Sequence, residues 1–271
     1  MTVREAAARL RAANVPEPLY EARRLFEAFA NIPIAAQIGC DPSSDAPALE
    51  QAIKRREARE PLAYILGEWG FYKESYLLSP DCLIPREDTE LLVETAISEL
   101  PPGAVFADLC TGCGCIGLSV LKHTIRTRAL LLDISEGAVQ TARTNAERLG
   151  LSDRAEFLVA DVKSATIGGG FDAIVSNPPY IKNDVYPTLA AEIAWEPARA
   201  FLGGEDGMEF YRVILSRYKN CLSPNGFFAF EIGYDEEDAI RALAAGHGFS
   251  CRVLCDLSNN PRVAVLRKEK E

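Results

Sequence analysis

Short apolar runs alternate with segments of helical spacing along the C-terminal part of the chain. Because parallel strands joined by helices produce this order, the alternation predicts an α/β fold with a Rossmann-like, mostly parallel sheet covered by helices. Seven runs have the length and composition of strands: 104–109, 129–132, 156–159, 171–175, 226–232, 251–255 and 263–266. In such a sheet, ligands bind at the carboxyl ends of the strands.

The N-terminal part of the chain has a different pattern. Apolar residues recur at helical spacing in three segments that prolines separate: 3–13, 18–30 and 46–59. Between residues 62 and 78 the apolar runs are short and flank Gly67 and Gly70, which is typical of a β-hairpin. We therefore expect a helical domain at 1–60, a β-hairpin linker at 61–80 and the α/β domain at 81–271.

Composition and charge argue against several classes of protein. The 271 residues include 29 Lys and Arg against 39 Asp and Glu, a net charge of -10, whereas binding nucleic acid through its phosphates needs a basic surplus. The sequence has no apolar stretch long enough to span a bilayer, and it starts without the apolar run of a secretion signal. We expect a cytoplasmic protein with no direct nucleic-acid or membrane partner and with reduced cysteines.

A glycine loop, residues 108–117, follows the first strand of the predicted sheet and leads into a helix. Gly112, Gly114 and Gly117 let the backbone approach a ligand, and the N–H groups that begin the helix then face it. Asp133 ends the next strand, where a carboxylate can accept both hydroxyls of a ribose. The same spacing occurs in NAD-binding proteins and in tight turns without a ligand, and Asp133 alone is also typical of a helix N-cap.

Asp108 distinguishes between these ligands. A carboxylate beside the loop repels a pyrophosphate, whereas it suits the ammonium and sulfonium groups of S-adenosylmethionine, which has no phosphate. Asp161 follows the third strand, where the adenine edge would lie. The two histidines, His123 and His247, lie away from the predicted strand ends, so the acid–base group of a hydride-transfer enzyme is hard to place. These positions favour S-adenosylmethionine as the cofactor.

Three of the eight cysteines, Cys110, Cys113 and Cys115, lie in the glycine loop. A helix N-terminus lowers the pKa of a thiol, so a redox or metal role is one interpretation. No second CxxC lies nearby, and His123 is a lone candidate ligand on the following helix. We favour the interpretation that the three cysteines are small apolar residues in a crowded loop, and we predict no metal.

The segment Asn177-Pro178-Pro179-Tyr180 follows the fourth strand and so lies at the same edge of the sheet as the glycine loop. The Asn177 carboxamide oxygen and the Pro178 carbonyl can each accept one N–H of a planar –NH₂ group, which directs the nitrogen lone pair at a methyl carbon. The prolines stiffen the turn, and Tyr180 offers a face for stacking. These four residues are the predicted catalytic residues of an N-methyltransferase. A structural proline-rich turn capped by Asn has the same sequence, and the motif does not distinguish glutamine from adenine or cytosine.

Motifs from about residue 60 to residue 262 resemble those of the HemK/PrmC family, whose members methylate the glutamine of the Gly-Gly-Gln motif in peptide chain release factors. The most specific is Ile-Pro-Arg followed by Asp-Thr-Glu at 84–90. The motifs that carry the resemblance are 60–67, Phe71, 83–90, the glycine loop, 177–181, Glu196-Pro197 and 203–207. The resemblance implies a class I methyltransferase domain after a helical N-terminal domain.

The resemblance also implies roles for single residues. Those that would contact the cofactor are Cys110, Thr111, Gly112, Cys113, Gly114, Asp133 and Val162, with Arg86 and Thr89 on the linker side. Asn177 to Tyr180 would hold the glutamine amide. The family usually has Gly at position 110, Ser or Thr at 113 and Pro at 87; a cysteine at position 110 is strained if φ is positive there.

The leading hypothesis is a glutamine N5-methyltransferase that converts S-adenosylmethionine to S-adenosylhomocysteine and grips a release factor with its N-terminal helices. An amino-methyltransferase for adenine or cytosine has the same chemistry, but the net charge of -10 disfavours it. A binding protein without turnover and an NAD oxidoreductase are two further hypotheses. A basic cluster, Lys54, Arg55, Arg56 and Arg59, fits a solvated helix face better than a substrate-binding surface.

Overall fold

The computed structural model describes residues 1–269, which form two compact units. The first unit comprises Met1–Glu68 together with the short segment Ala190–Trp195. The second comprises Trp69–Leu189 and the described residues from Glu196 to residue 269. None of the helices in the described part of the chain combines the length and the apolar character that crossing a lipid bilayer requires.

The first unit is helical, as the apolar spacing predicts. Its helices are α1 (Val3–Ala12), α2 (Pro18–Ala30), α3 (Ile34–Gln37), α4 (Pro47–Glu57) and α5 (Leu62–Leu66). Helix α1 begins with a capping box, in which the Thr2 hydroxyl accepts from Glu5 N and the Glu5 carboxylate accepts from Thr2 N. Leu10, Phe26 and Ile53 have no exposed surface and show which faces of α1, α2 and α4 are packed.

The second unit contains the predicted seven-stranded, mostly parallel sheet. The strands are β3 (Val105–Leu109), β4 (Arg128–Asp133), β5 (Ala155–Val159), β6 (Phe171–Ser176), β7 (Leu222–Glu231), β8 (Phe249–Cys255) and β9 (Pro261–Lys268). Their order across the sheet is β5-β4-β3-β6-β7-β9-β8, and β9 runs antiparallel to both of its neighbours. The predicted hairpin is present but shorter than expected: β1 (Glu68–Phe71) and β2 (Glu74–Leu77) form it. Residues 62–66, which the sequence assigned to the hairpin region, form helix α5 instead.

Helices cover both faces of this sheet because residues alternate between the faces along each strand. On β7, Phe227 belongs to one hydrophobic core and Phe228 to the other. The helices of the unit are α6 (Glu90–Glu99), α7 (Cys115–His123), α8 (Glu136–Leu149), α9 (Glu209–Tyr218) and α10 (Glu237–Gly246). Helices α6, α7 and α8 share the core of Phe227, whereas α9 and α10 share that of Phe228.

The carboxyl edge of the sheet is where the candidate site lies. Strands β3, β4, β5, β6 and β7 are parallel, so the chain leaves all five at the same edge. The glycine loop, Asp133, Asp161 and the turn 177–180 therefore follow neighbouring strand ends.

Candidate functional site

A cavity of about 280 Å³ opens at this edge, within the second unit. Seven residues predicted from the sequence line it: Cys110, Gly112, Asp133, Asp161, Val162, Asn177 and Pro179. The other predicted residues do not line the cavity but belong to the segments around it: Arg86, Thr89, Asp108, Thr111, Cys113, Gly114, Pro178 and Tyr180. Parallel strand ends thus bring the predicted groups together around one space.

Three residues of the glycine loop have a left-handed backbone, and two of them, Cys110 and Gly112, line the cavity. Cys110 has a φ of 61°, Gly112 of 56° and Gly114 of 85°. Glycine adopts this conformation freely, whereas a residue with a Cβ is strained in it. The sequence predicts strain at Cys110 if its φ is positive. Its φ is positive, so this residue is strained. Gly114 also begins α7, and a Cβ there would lie 3.0 Å from the side chains of Leu118 and Ala142.

Asp108 is a fully buried carboxyl at the base of the loop. Its Oδ2 accepts hydrogen bonds from the Thr111 hydroxyl at 2.6 Å and from Gly117 N at 2.9 Å. Its Oδ1 is buried, and among residues 1–269 no group hydrogen-bonds to it. Burial raises the pKa of Asp108 to about 7, against the lowering effect of Thr111 and Gly117. A cationic group that reached Oδ1 would offset the effect of burial on this carboxyl.

Asp133 is held rigidly at the cavity wall. Its Oδ2 accepts from Gly112 N at 2.9 Å and its Oδ1 accepts from Ser135 N at 2.9 Å. Each oxygen keeps a second lone pair, so the carboxylate can still accept two hydroxyls. Burial raises the pKa of Asp133, and the positive charge of Arg199 opposes the rise. In the loop after the neighbouring strand β5, Asp161 Oδ1 accepts from Lys163 N at 2.8 Å.

The rest of the cavity wall includes apolar residues that the sequence did not indicate. Leu132, Ile134 and Phe210 line it, and the Lys163 ammonium lies 4.5 Å from the centre of the Phe210 ring. Arg199 adds a positive charge. Ile134 directly follows Asp133 in the sequence, and its position after a strand end is the only sequence signal that these apolar residues share with the predicted site. The apolar walls and the acidic edge suit a flat, partly polar ligand.

The Asn-Pro-Pro-Tyr turn, residues 177–180, borders the cavity through Asn177 and Pro179. Asn177 Nδ2 donates to the Thr89 hydroxyl at 3.3 Å, which directs its Oδ1 elsewhere as an acceptor. The Tyr180 hydroxyl donates to Glu231 Oε1 at 3.0 Å, and burial raises the pKa of Tyr180. Each polar side chain of the turn therefore donates one hydrogen bond to a protein group, Asn177 to Thr89 and Tyr180 to Glu231.

A second segment, residues 201–204, packs against this turn and lines the cavity through Leu202. Ile181 N donates to Phe201 O at 2.8 Å, and Gly203 N donates to Ile181 O at 2.8 Å. A Cβ at Gly203 would lie 2.6 Å from Tyr180 Cα and 2.8 Å from the Pro179 carbonyl oxygen. Only glycine permits two backbones to approach so closely.

Two family models match the chain: the PrmC N-terminal domain at residues 2–67 and the methyltransferase small domain at residues 87–214. A release factor glutamine methyltransferase of Rhodospirillum rubrum is 39% identical over 96% of this chain and 82% of its own length. That of Moorella thermoacetica is 36% identical over 98% and 97%. The chain belongs to the release factor glutamine methyltransferase family.

Solved structures agree with this family's fold. A methyltransferase from Pyrococcus furiosus is 18% identical, with a TM-score of 0.54 over 72% of this chain and 90% of its own. The ribosomal protein L11 methylase of Lactobacillus delbrueckii is 21% identical, with a TM-score of 0.53 over 71% and 84%. At these identities the likeness concerns the fold, which is the predicted Rossmann-like α/β fold.

Arg86 belongs to the motif at 84–90, which is the most specific part of the resemblance to this methyltransferase family. It forms an ion pair with Glu196. Its guanidinium pairs with the Glu196 carboxylate, which is 1% exposed and also accepts from Ile84 N at 2.9 Å. Glu196 thus ties the segment before α6 to the turn that carries Pro197 and Arg199 into the cavity wall.

The three cysteines of the glycine loop differ in their surroundings. Cys113 and Cys115 are buried, whereas Cys110 lines the cavity. Burial raises the pKa of the Cys110 thiol, and the neighbouring Cys113 thiol raises that of Cys115, so both favour the neutral form. Within residues 1–269, no three His, Cys, Asp or Glu side chains are grouped as a metal ion would require.

Proposed function

We propose that this protein methylates the side-chain amide nitrogen (N5) of the glutamine in the Gly-Gly-Gln motif of a peptide chain release factor. The observation that carries the proposal is the orientation of Asn177 at the cavity, with its donor bound to Thr89 and its Oδ1 left to accept an N–H. The names of the relatives, which match over nearly the whole chain, support the same substrate.

S-adenosylmethionine, the methyl donor of this proposal, supplies an electrophilic methyl group on a sulfonium. Asp108 would hold its ammonium, Asp133 its ribose hydroxyls, and Asp161 with Val162 its adenine. Cys110 to Gly114 would follow its amino-acid end. The buried Oδ1 of Asp108 and the paired backbone bonds of Asp133 support this assignment, because a cation and two hydroxyls would complete their hydrogen bonding.

The chain's own contribution to methyl transfer is alignment. Asn177 Oδ1 and the Pro178 carbonyl would each accept one N–H of the glutamine amide, which fixes the plane of the group and directs its lone pair toward the donor. The Tyr180 ring would lie against the flat carboxamide. No strong base is needed at an early stage, because the proton becomes acidic only as the nitrogen gains positive charge.

The release factor is the partner in this proposal, and the protein would act in the cytoplasm without a membrane or nucleic-acid partner. We propose the boundaries 1–60 for the helical substrate-binding domain, 61–80 for the hairpin linker and 81–271 for the methyltransferase domain. The match of the PrmC N-terminal model to residues 2–67 supports a separate function for the helices.

Mass spectrometry of release factor after incubation with the protein and S-adenosylmethionine tests the function. We expect a single added methyl on the motif glutamine, none with Asn177→Ala, and none on a release factor with that glutamine replaced. DNA offered in parallel should stay unlabelled. Methylation of DNA but not of release factor would favour the amino-methyltransferase instead.

A further inference from the structure

Glu231 is a buried carboxyl directly behind the Asn-Pro-Pro-Tyr turn. It ends β7, and the parallel pairing of Ser176 with Phe230 places it level with the first residue of the turn on the neighbouring strand. It is 2% exposed, and burial raises its pKa. Burying a carboxyl costs desolvation free energy that an apolar residue of similar size would not cost. The contacts of Glu231 therefore indicate why a carboxyl lies at this position.

Those contacts are with the residues that hold the turn. The Tyr180 hydroxyl donates to Glu231 Oε1 at 3.0 Å. The hydroxyl of Thr89, which is 3% exposed and accepts from Asn177 Nδ2, lies close enough to lower the pKa of Glu231. Of these two contacts, the hydrogen bond from the Tyr180 hydroxyl is the one that restrains an aromatic ring of the turn.

We propose that Glu231 is a positioning residue for methyl transfer, which fixes the Tyr180 ring against the substrate amide; this rests on the function proposed above. The hydroxyl of Tyr180 is directed at Glu231, so the substrate meets the ring rather than the oxygen. A phenol ring turns about two side-chain bonds, and anchoring its far end to a buried acceptor selects one orientation.

Glu231 does not serve as the base in this proposal. The hydroxyl between it and the substrate side is a donor to Glu231, and the carboxyl has almost no exposed surface. On its other side, the positive charge of Arg262 lowers the pKa of Glu231 and Asp88 raises it. Arg262 is itself shared between Asp88 at 3.0 Å and Asp256 at 3.3 Å.

Steady-state kinetics of four variants test the role: Glu231→Gln, Glu231→Met, Tyr180→Phe and the double variant Glu231→Met/Tyr180→Phe. Gln keeps an acceptor and should retain most of kcat. Met and Phe each remove the hydrogen bond and should lower kcat about 10- to 100-fold, with cofactor affinity unchanged. Because both act through one bond, the double variant should be no slower than the slower single one. Effects that multiply would overturn the proposal.

Glu236 offers a matched control. It is also a buried carboxyl, 3% exposed, but it accepts from the Tyr211 hydroxyl at 3.2 Å and from Gly233 N at 2.8 Å. Glu236→Met should lower the melting temperature and leave kcat within about 3-fold of wild type. A Glu231→Met variant that behaves in the same way would show that Glu231 is merely structural.

A second measurement is independent of the substrate. In ¹³C-tyrosine NMR spectra without substrate, the Tyr180 ring signal should shift or broaden in Glu231→Met and remain in place in Glu231→Gln and Glu236→Met. An unchanged Tyr180 signal in Glu231→Met would refute the positioning role of Glu231, whether or not the wild type methylates release factor. Failure of the wild type to methylate release factor would count against the proposed function alone. Should the Met variant not fold, Tyr180→Phe decides the question, because Phe removes the same hydrogen bond and an unchanged kcat in this variant would refute positioning.

Discussion

Cys110 holds a backbone conformation that costs a residue with a Cβ roughly 1–2 kcal/mol. Cys110→Gly removes this strain together with the thiol, whereas Cys110→Ala removes the thiol alone. We therefore expect the free energy of unfolding of the Gly variant to exceed that of the Ala variant by about 1 kcal/mol. Denaturant unfolding of the two proteins measures the difference, and equal stabilities would show that position 110 is unstrained.

Single residues of the site were predictable where they follow strand ends. Asp133 and Asn177 line the cavity because the carboxyl ends of parallel strands meet at one edge. Phe210 and Arg199 were missed, since one lies in the first turn of α9 and the other in a 3-10 turn, and no periodicity connects these segments with the sheet edge. Thr89 was assigned to the cofactor by resemblance, and its hydrogen bond to Asn177 depends on packing that sequence spacing does not reveal.

The segment 201–204, which supports the Asn-Pro-Pro-Tyr turn, leaves no room for a side chain at Gly203. A methyl group at Gly203 would meet the backbone of Tyr180 at 2.6 Å, so Gly203→Ala must displace the turn. We expect kcat to fall about 10- to 100-fold while cofactor affinity, measured by calorimetry, stays the same. Gly168→Ala is the control, because nothing lies within 4 Å of a Cβ there. Equal activity of both variants would contradict the supporting role.

In the helical unit, α4 carries a buried ion-pair cluster where the sequence suggested a solvated basic face. Arg56 is 3% exposed and pairs with Glu21 and with Glu192 of the segment 190–195. Arg56→Met should leave both carboxylates partly buried without this partner and destabilise the protein by about 3–5 kcal/mol. Faster hydrogen exchange of α2 and α4 would report the loss.

Arg55 on the same helix is the matched control. Its side chain is 46% exposed and pairs with Glu60, so Arg55→Met should change the free energy of unfolding by less than about 1 kcal/mol. If both substitutions had the same effect, burial of Arg56 would contribute nothing.

Local sequence patterns predicted most helices and strands, but they did not predict the order of the strands in the sheet. Helix α2 has the predicted bounds, 18–30, whereas β7 was expected to start at residue 226 and starts at Leu222. Pro224, Asn225 and Gly226 have the composition of a turn, and the pairing of β7 with β6 shifts its register across them, from Phe171–Leu222 to Ala173–Phe227. The insertion of β9 between β7 and β8 is a long-range pairing, which no local spacing encodes.

At the scale of the whole molecule, two buried carboxyls link stability to pH. Burial raises the pKa of Asp108 and of Glu236 to about 7 each. The folded protein keeps two protons that the unfolded chain releases near pH 4, so their contribution makes the free energy of unfolding fall as pH rises from about 4 to about 7. Denaturant unfolding across this range should show a shallower fall in Asp108→Asn and in Glu236→Gln. Slopes equal to wild type would contradict the assignment.

The same linkage predicts how the proposed cofactor binds. An ammonium beside Asp108 Oδ1 stabilises the anion and lowers the pKa of Asp108, so binding below about pH 7 must release a proton from this carboxyl. Affinity for S-adenosylhomocysteine, which keeps the ammonium, should therefore weaken as pH falls through 7. Calorimetry near pH 6 in buffers of different ionisation enthalpy counts the protons. Asp108→Asn should bind more weakly and lose this proton, while Glu236→Gln should keep it; an identical proton count in wild type and Asp108→Asn would place the ammonium elsewhere.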